Sequence, residues 1–352
     1  MAAVLRAASP QGIHTSLIKH LCAEHGWADE QLHSDLLNGF PLIGDIPTAP
    51  GLAQTPVRRA QVSVNEVREI QVRAFSAKVL RVEQEKFSQT MWDQLLADVH
   101  LHRISSPVPA SEVQARLLSR RFLVQQVSAT GEIKERPIDD LSESMVNDLC
   151  AVTGRLRMGS LADLRAVLAF LQQRWPDQDL LLLKADFKAA YRSCGIRLSH
   201  LELSAVVIRG PVSPMVSVQH SMPFGAVSAV YAWDRLASFI CHILIQVFLL
   251  PISRFVDDLF WAALGSEASE SRQLVMRVVA LLGFVLEPTK TPEPASQLDI
   301  LGVECEVLIS QSGEGKSQTS QMLLLRMAPD SKKVSFWSEC LKQALSTKFA
   351  PH

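Results

Sequence analysis

Tyrosine is almost absent from this sequence, with two among 352 residues, and aromatic residues together make up only 6%. Cysteine is sparse too: six residues, at 22, 150, 194, 241, 305 and 340, with no C-x-x-C pair. That scatter excludes a zinc ribbon or knuckle and fits reduced thiols, hence an intracellular chain, cytoplasmic or nuclear, and not a secreted one. The apolar start around Arg6 soon meets Pro10-Gln11-Gly12, a weak match to a targeting peptide. Neither sign of charge is in excess. Lysine and arginine number 35 against 36 acids, so nothing pulls the whole chain toward nucleic acid or anionic membrane, and any polyanion site must be a local patch. A bilayer-spanning run is also missing: the longest apolar stretch, 236–250, carries His242 and Gln246, stops at Pro251, and falls short of the roughly 20 residues required. It reads as a buried helix, and no membrane partner is expected. What the chain does have is 47% hydrophobic residues, enough for a substantial core in one large or two ordinary domains, without internal repeats.

Residues 1–60 mix short helical stretches with Gly39, Pro41, Gly44, Pro47, Pro50, Gly51 and Pro56, the pattern of an irregular N-terminal arm. Ser63-Val64-Asn65-Glu66 forms a capping box that opens one or two amphipathic helices reaching about residue 99, within a helical extension over 61–110. Arginines and lysines there alternate with Glu66, Glu69, Glu83 and Glu85, which favours a solvated face over a phosphate-binding one. Pro107 and Pro109 then break the chain. A helix is expected over 111–119, a strand over 122–127, a turn over 129–132 and a second strand over 134–141 carrying Arg136. Ser160-Leu161-Ala162-Asp163 is another capping box, starting a helix to about 174 and closing a unit over 111–178.

A third unit, 179–305, begins with Leu180-Leu181-Leu182-Leu183-Lys184-Ala185, a strand ending at Asp186. A tight helical turn with Tyr191, strands over 203–208 and 215–219, and a long helix from Gly225 to Pro251 follow. Next come a strand pair around Asp257-Asp258, a helix over 267–282 and a short strand over 298–303. Residues 306–352 read as a polar loop over 310–321 and one further helix.

The chemistry lies in Arg254-Phe255-Val256-Asp257-Asp258-Leu259-Phe260-Trp261. Adjacent carboxylates at a hairpin tip repel and lose hydration, so they persist where a cation compensates them, although most such pairs are ordinary turns. Asp186 at the end of a second strand adds a third acid, and the two strands could converge on one metal site.

Several ordered motifs between about 115 and 305 make the chain resemble the reverse transcriptases. Lys184-Ala185-Asp186-Phe187-Lys188-Ala189-Ala190-Tyr191, Met222-Pro223-Phe224-Gly225-Ala226 and Phe255-Val256-Asp257-Asp258 are similar to the family's first three palm motifs. Leu282-Gly283-Phe284 with Lys290 resembles the fourth, Leu301-Gly302-Val303 the fifth, and Arg136-Pro137-Ile138-Asp139 with Asn147 the fingers strand and its continuation. The resemblance implies an α+β right hand of fingers (111–178) and palm (179–305), the palm an antiparallel sheet with packed helices of the split βαβ type. It also implies an RNA-directed DNA polymerase that adds dNTPs to a primer 3′ end on an RNA or DNA template, using two Mg²⁺ ions, with Mn²⁺ able to substitute.

By the same resemblance, Asp186 and Asp257 are metal ligands assisted by Asp258, with the backbone carbonyl of Phe187 a further ligand. Tyr191 excludes the ribose 2′-hydroxyl, Phe224 and Gly225 line the nucleotide pocket, and Arg136 and Lys290 meet the triphosphate, Lys134 sharing the role of Arg136. Each residue also has a plainer reading. Asp186 could cap a strand end, Tyr191 could be a core aromatic, Phe224-Gly225 a helix-entry turn, Arg136 a surface partner of Glu135 or Asp139, and Lys290 a solvated cation. A similar palm that makes RNA is disfavoured by Tyr191. Phe255 stands where many family members have tyrosine, and about 50 residues follow Gly302, short for a full thumb. An incomplete thumb, supplied by another subunit or by further C-terminal domains, is therefore expected. The alternative is a non-catalytic retroelement remnant that binds nucleic acid or protein.

Overall fold

A computed structural model of the chain describes residues 12–51, 58–127, 133–311 and 319–327, with side chains omitted at 126, 127, 134, 309–311 and 319–327. The expected turn over 129–132 and the C-terminal helix lie outside these residues. Two helices, α1 (Thr15–Glu24) and α2 (Leu32–Asn38), precede the short strand β1 (Gly44–Ile46). This segment wraps onto the rest of the chain and buries Ile18, Leu32, Leu36, Phe40 and Leu42 in the main core. The capping box at Ser63 is formed, with Glu66 N–H donating to Ser63 Oγ and Ser63 N–H to Glu66 Oε2, and opens α3 (Val64–Glu83); α4 (Gln89–His100) follows.

After β2 (Val108–Pro109), the helix expected over 111–119 is reduced to a single 3-10 turn at Ala110–Glu112. Leu117 and Leu118 explain the difference: both are buried, but in separate clusters, and consecutive side chains point to opposite sides only in extended backbone. Strands β3 (Ser119–Val127) and β4 (Ile133–Asp139) form an antiparallel pair. β5 (Cys150–Val152) runs parallel to β1. The second capping box is also present, at the start of α5 (Leu161–Arg174).

Strand β6 (Leu180–Asp186) is apolar on both faces because both are covered. Leu181, Leu183 and Ala185 face the main core, whereas Leu180 and Leu182 face a second cluster with Leu164, Leu168 and Leu171 of α5. β7 (Ala205–Arg209) and β8 (Pro214–Val218) complete a mixed five-stranded sheet in the order β2-β8-β7-β3-β4, in which only β3 and β7 are parallel. The apolar run over 236–250 lies mainly within α6 (Val227–Gln246), whose buried Arg235 pairs with Asp29 and Asp35 and ties the N-terminal helices down. Among the described residues no helix is long and apolar enough to cross a membrane.

Strands β9 (Ser253–Phe255) and β10 (Asp258–Leu264) complete a three-stranded antiparallel sheet in the order β6-β10-β9. α7 (Ala268–Leu281) packs beside it, with Val275 and Val279 in the core that holds Leu259 and Trp261. The short strand expected over 298–303 is instead a hairpin, β11 (Gln297–Ile300) turning into β12 (Val303–Gln311). Leu301 and Gly302 both have positive φ, as a two-residue turn of this hand requires. The polar loop expected over 310–321 is strand at both ends, since β12 reaches Gln311 and pairs with β13 (Thr319–Met327). Serine and glutamine weaken strand propensity, but the ladder continues through the polar pairs Ser310–Ser320 and Gln311–Thr319. The result is a mixed α+β architecture.

Candidate active site

Parity along β6 and β10 decides which acids meet. Asp258 stands opposite Asp186 in register, and both point to the sheet face that carries Leu182 and Phe260. Like charges directly opposite across strands are destabilising, so this pair lowers stability unless something compensates it. Burial first, then the charges of Asp257 and Asp186, pushes Asp258 up to about 7, and its carboxyl hydrogen-bonds Asp186. Asp257 is also raised, by burial and then by Asp186, with Lys290 and Arg136 opposing.

Asp257 sits on the two-residue turn between β9 and β10, after Val256 at φ +54. A β-branched residue there is strained, by roughly 1–3 kcal/mol, and persists only where its surroundings over-determine it. Here they do: Trp233 Nε1 (2.9 Å) and Arg254 Nη1 (3.1 Å) both donate to the Val256 carbonyl, and Phe187 N–H donates to the Asp257 carbonyl at 3.1 Å. Arg254 is itself buried and paired with Asp234 of α6. These supports were missed from the sequence. Their signal was Trp233-Asp234 inside an otherwise apolar helix.

Lys290 reaches the same place. The chain after α7 runs beside β6, with Glu287 N–H donating to the Asp186 carbonyl and Lys188 N–H to that of Val285, both at 2.8 Å. This sets Lys290 Nζ 2.8 Å from Asp186 Oδ2. Burial would lower the ammonium, yet the hydrogen bond and charge of Asp186 leave it raised.

Phe187 contributes backbone only, because its ring is buried edge-on against Trp233 at 4.9 Å and Phe284 at 6.3 Å. Tyr191 lies on a 3-10 turn (Ala190–Ser193), its ring 5.2 Å from that of half-exposed Phe224. Burial and then the charge of Asp257 push its hydroxyl up to about 12. Gly225 takes φ +101, and a Cβ there would lie 2.6 Å from the Asp139 carbonyl, so no side chain fits. Asn147 brackets the same turn, donating to the Gly225 carbonyl and accepting from Val227 N–H, each at 2.9 Å. Arg136 is exposed on β4, and its charge is felt at Asp257. Asp139 is held by Arg121 and Gln219.

The donors at the β6–β10 end are all carboxylate oxygens, the chemistry a hard divalent cation selects. Asp186 and Asp258 stand opposite each other in register on one sheet face, so they fit as a pair of ligands. Among the described residues, however, no three His, Cys, Asp or Glu side chains are grouped to hold one ion in common. Asp257 joins the cluster through its charge.

No protein-family model and no curated protein matches the chain. Among solved structures it is similar to the foamy viral protease-reverse transcriptase dRH in complex with double-stranded DNA, at 14% identity and TM-score 0.45, covering 82% of this chain and 46% of that one. It is also similar to the foamy viral protease-reverse transcriptase in complex with an RNA/DNA hybrid, at 12% identity and TM-score 0.46, covering 82% and 35%. The chain therefore spans less than half the length of the solved structures it matches, and likeness at this level carries no argument about activity.

Proposed function

We propose that this chain is the fingers and palm of a reverse-transcriptase-like polymerase that adds dNTPs to a primer 3′ end on an RNA or DNA template. In this reading β6, β10 and β9 are the palm sheet, and the sheet carrying β3 and β4 belongs to the fingers. The observation that carries it is the register pairing of Asp186 with Asp258, with Asp257 on the adjoining turn. Three carboxylates gather here against one ammonium, that of Lys290, which favours a further cation.

Asp186 and Asp258 would hold a divalent cation, with Asp257 beside them for a second. Held by these residues, such ions would supply Lewis-acid activation of the primer hydroxyl and positive charge for the pyrophosphate leaving group. The chain's own residues do the rest. Arg136 and Lys290 offer cationic hydrogen-bond donors to phosphate oxygens. Tyr191 and Phe224 form an aromatic wall under the sugar, and Gly225 lets the base approach the backbone closely. Incubating the chain with primed RNA, dNTPs and Mg²⁺ or Mn²⁺ should extend the primer, and Asp257→Asn should cut the rate by roughly a thousandfold; extension that continues at the original rate would refute the assignment.

A second reading is favoured by two observations: the lack of a three-residue ligand group among the described residues, and Lys290 already seated on Asp186. On that reading the chain is a non-catalytic remnant that binds nucleic acid. It predicts no extension with either metal, together with an affinity for primer-template that falls steeply with salt.

A further inference from the structure

Behind the Tyr191–Phe224 wall lies a buried polar chain. Arg121 grips Asp139 with both ends of its guanidinium fork, Nε to Oδ1 at 2.7 Å and Nη2 to Oδ2 at 3.0 Å. Gln219 Nε2 donates to Asp139 Oδ2, and its Oε1 accepts from Arg192 Nη1. Arg192 also reaches the Ser221 carbonyl at 3.4 Å and pairs with Asp98 of α4 at 3.4 Å. Arg121, Asp139, Arg192 and Gln219 are all under 9% exposed.

Three members of this polar chain are joined through the backbone to the segments that carry Tyr191, Phe224 and Arg136. Arg192 follows Tyr191 in the same 3-10 turn. Ser221 lies three residues before Phe224, and its segment is paired with the Tyr191 segment through Gly195 and through Met222 N–H to the Cys194 carbonyl, 2.8 Å. Asp139 ends the strand that carries Arg136, and its carbonyl is the atom that leaves room only for glycine at 225. At the centre, Gln219 must accept from a guanidinium on one side and donate to a carboxylate on the other. A neutral side-chain amide has an acceptor oxygen and a donor nitrogen at the required separation, which neither a carboxylate nor an ammonium can match.

We propose that Gln219 is a positioning residue that locks Tyr191 against Phe224, and so sets how strongly the chain rejects ribonucleotides. The sugar consequence rests on the polymerase reading, whereas the locking does not.

The two parts are tested separately. Both tyrosines are replaced by 3-fluorotyrosine, giving two fluorine signals, Tyr191 and Tyr231, assigned through Tyr191→Phe. Gln219→Glu removes the donor toward Asp139 and should shift or split the Tyr191 signal while leaving that of Tyr231 in place. Combining it with Asp139→Asn gives a donor back to the 219–139 contact at the loss of one bond of the Arg121 fork, because Arg121 Nη2 donates to the same Asp139 Oδ2, and should bring the signal part of the way back. In primer extension, the preference for dNTP over rNTP, as a ratio of kcat/KM, should fall about tenfold in Gln219→Glu and recover in part in the combined variant. Should Gln219→Glu fail to fold, Arg192→Lys, which keeps the charge and loses the fork, takes its place with the same readouts. An unmoved Tyr191 signal in a folded variant, or no recovery in the combined one, overturns the locking role. An unchanged sugar preference despite a moved signal overturns its consequence. Failure of the unsubstituted chain to extend any primer removes the polymerase reading and that consequence with it, while the fluorine signals still decide the locking.

Discussion

Asp139 and Asp258 are the same side chain in two settings, and their protons behave oppositely. Asp139 is the more deeply buried, yet its carboxyl is held below the usual range, because against burial it has the Arg121 fork, Arg192 and Gln219. Asp258 is half-buried and pushed up to about 7, because burial is reinforced by Asp257 and Asp186 and opposed mainly by Lys290. Burial alone therefore does not set the ionisation of a carboxyl. The nearest charges do, and here one region spends its charges on mutual compensation while the other leaves an excess of negative charge exposed to a ligand.

Four substitutions break or sharpen that contrast. The largest effect belongs to the uncompensated region: Asp257→Asn should reduce primer extension by roughly a thousandfold, about 4 kcal/mol, with Tm nearly unchanged, as rate assays and a thermal scan would record. In the compensated region the damage should fall on stability. Arg121→Met strands the Asp139 carboxylate in a dry core and should cost about 3–5 kcal/mol in urea unfolding. Beside Asp139, Gly225→Ala forces a Cβ toward the Asp139 carbonyl at a positive φ, for an expected loss of about 1–3 kcal/mol by the same measurement.

The smallest effect carries a sign that separates the two aspartates. In the folded chain Asp258 keeps its proton up to about pH 7, whereas unfolded it loses it near its ordinary 3.8. The folded state binds more protons across that window, so stability should decline as pH rises from about 4 to 7 and level off above it. Asp258→Asn should remove the decline, raising Tm by about 2–4 °C at pH 8 and leaving it unchanged at pH 4. Asp139, with its lowered carboxyl, should contribute in the opposite sense, its stabilisation lost only as pH falls below the ordinary carboxylate range.

Much of the site was legible along the chain, since its parts obey local rules. The capping boxes at Ser63 and Ser160 formed because their partners lie three residues away. The largely apolar run ending at Asp186 was expected to be a strand and is one. The helix expected over 111–119 did not form, because Leu117 and Leu118 each serve a different core, and the sequence does not record which side a neighbour occupies. Strand β13 was missed because its polar start pairs with the equally polar end of β12, Gln311 with Thr319 and Ser310 with Ser320, so long-range pairing and not residue type makes it a strand. For Phe187 the expected role was that of its backbone carbonyl, and its ring is packed in the core against Trp233 and Phe284.

Residue types and their spacing by themselves determined that three acids, an aromatic and two cations would be available, and which would sit at strand ends, because strand periodicity and turn chemistry act over a few residues. Only the tertiary structure decided that Asp258 is the acid facing Asp186, that Lys290 closes on them, and that Gln219 joins Arg192 to Asp139. Those contacts follow from strand register and from segments tens of residues apart arriving together, and burial, which turns such contacts into shifted protons, exists only once the chain has packed.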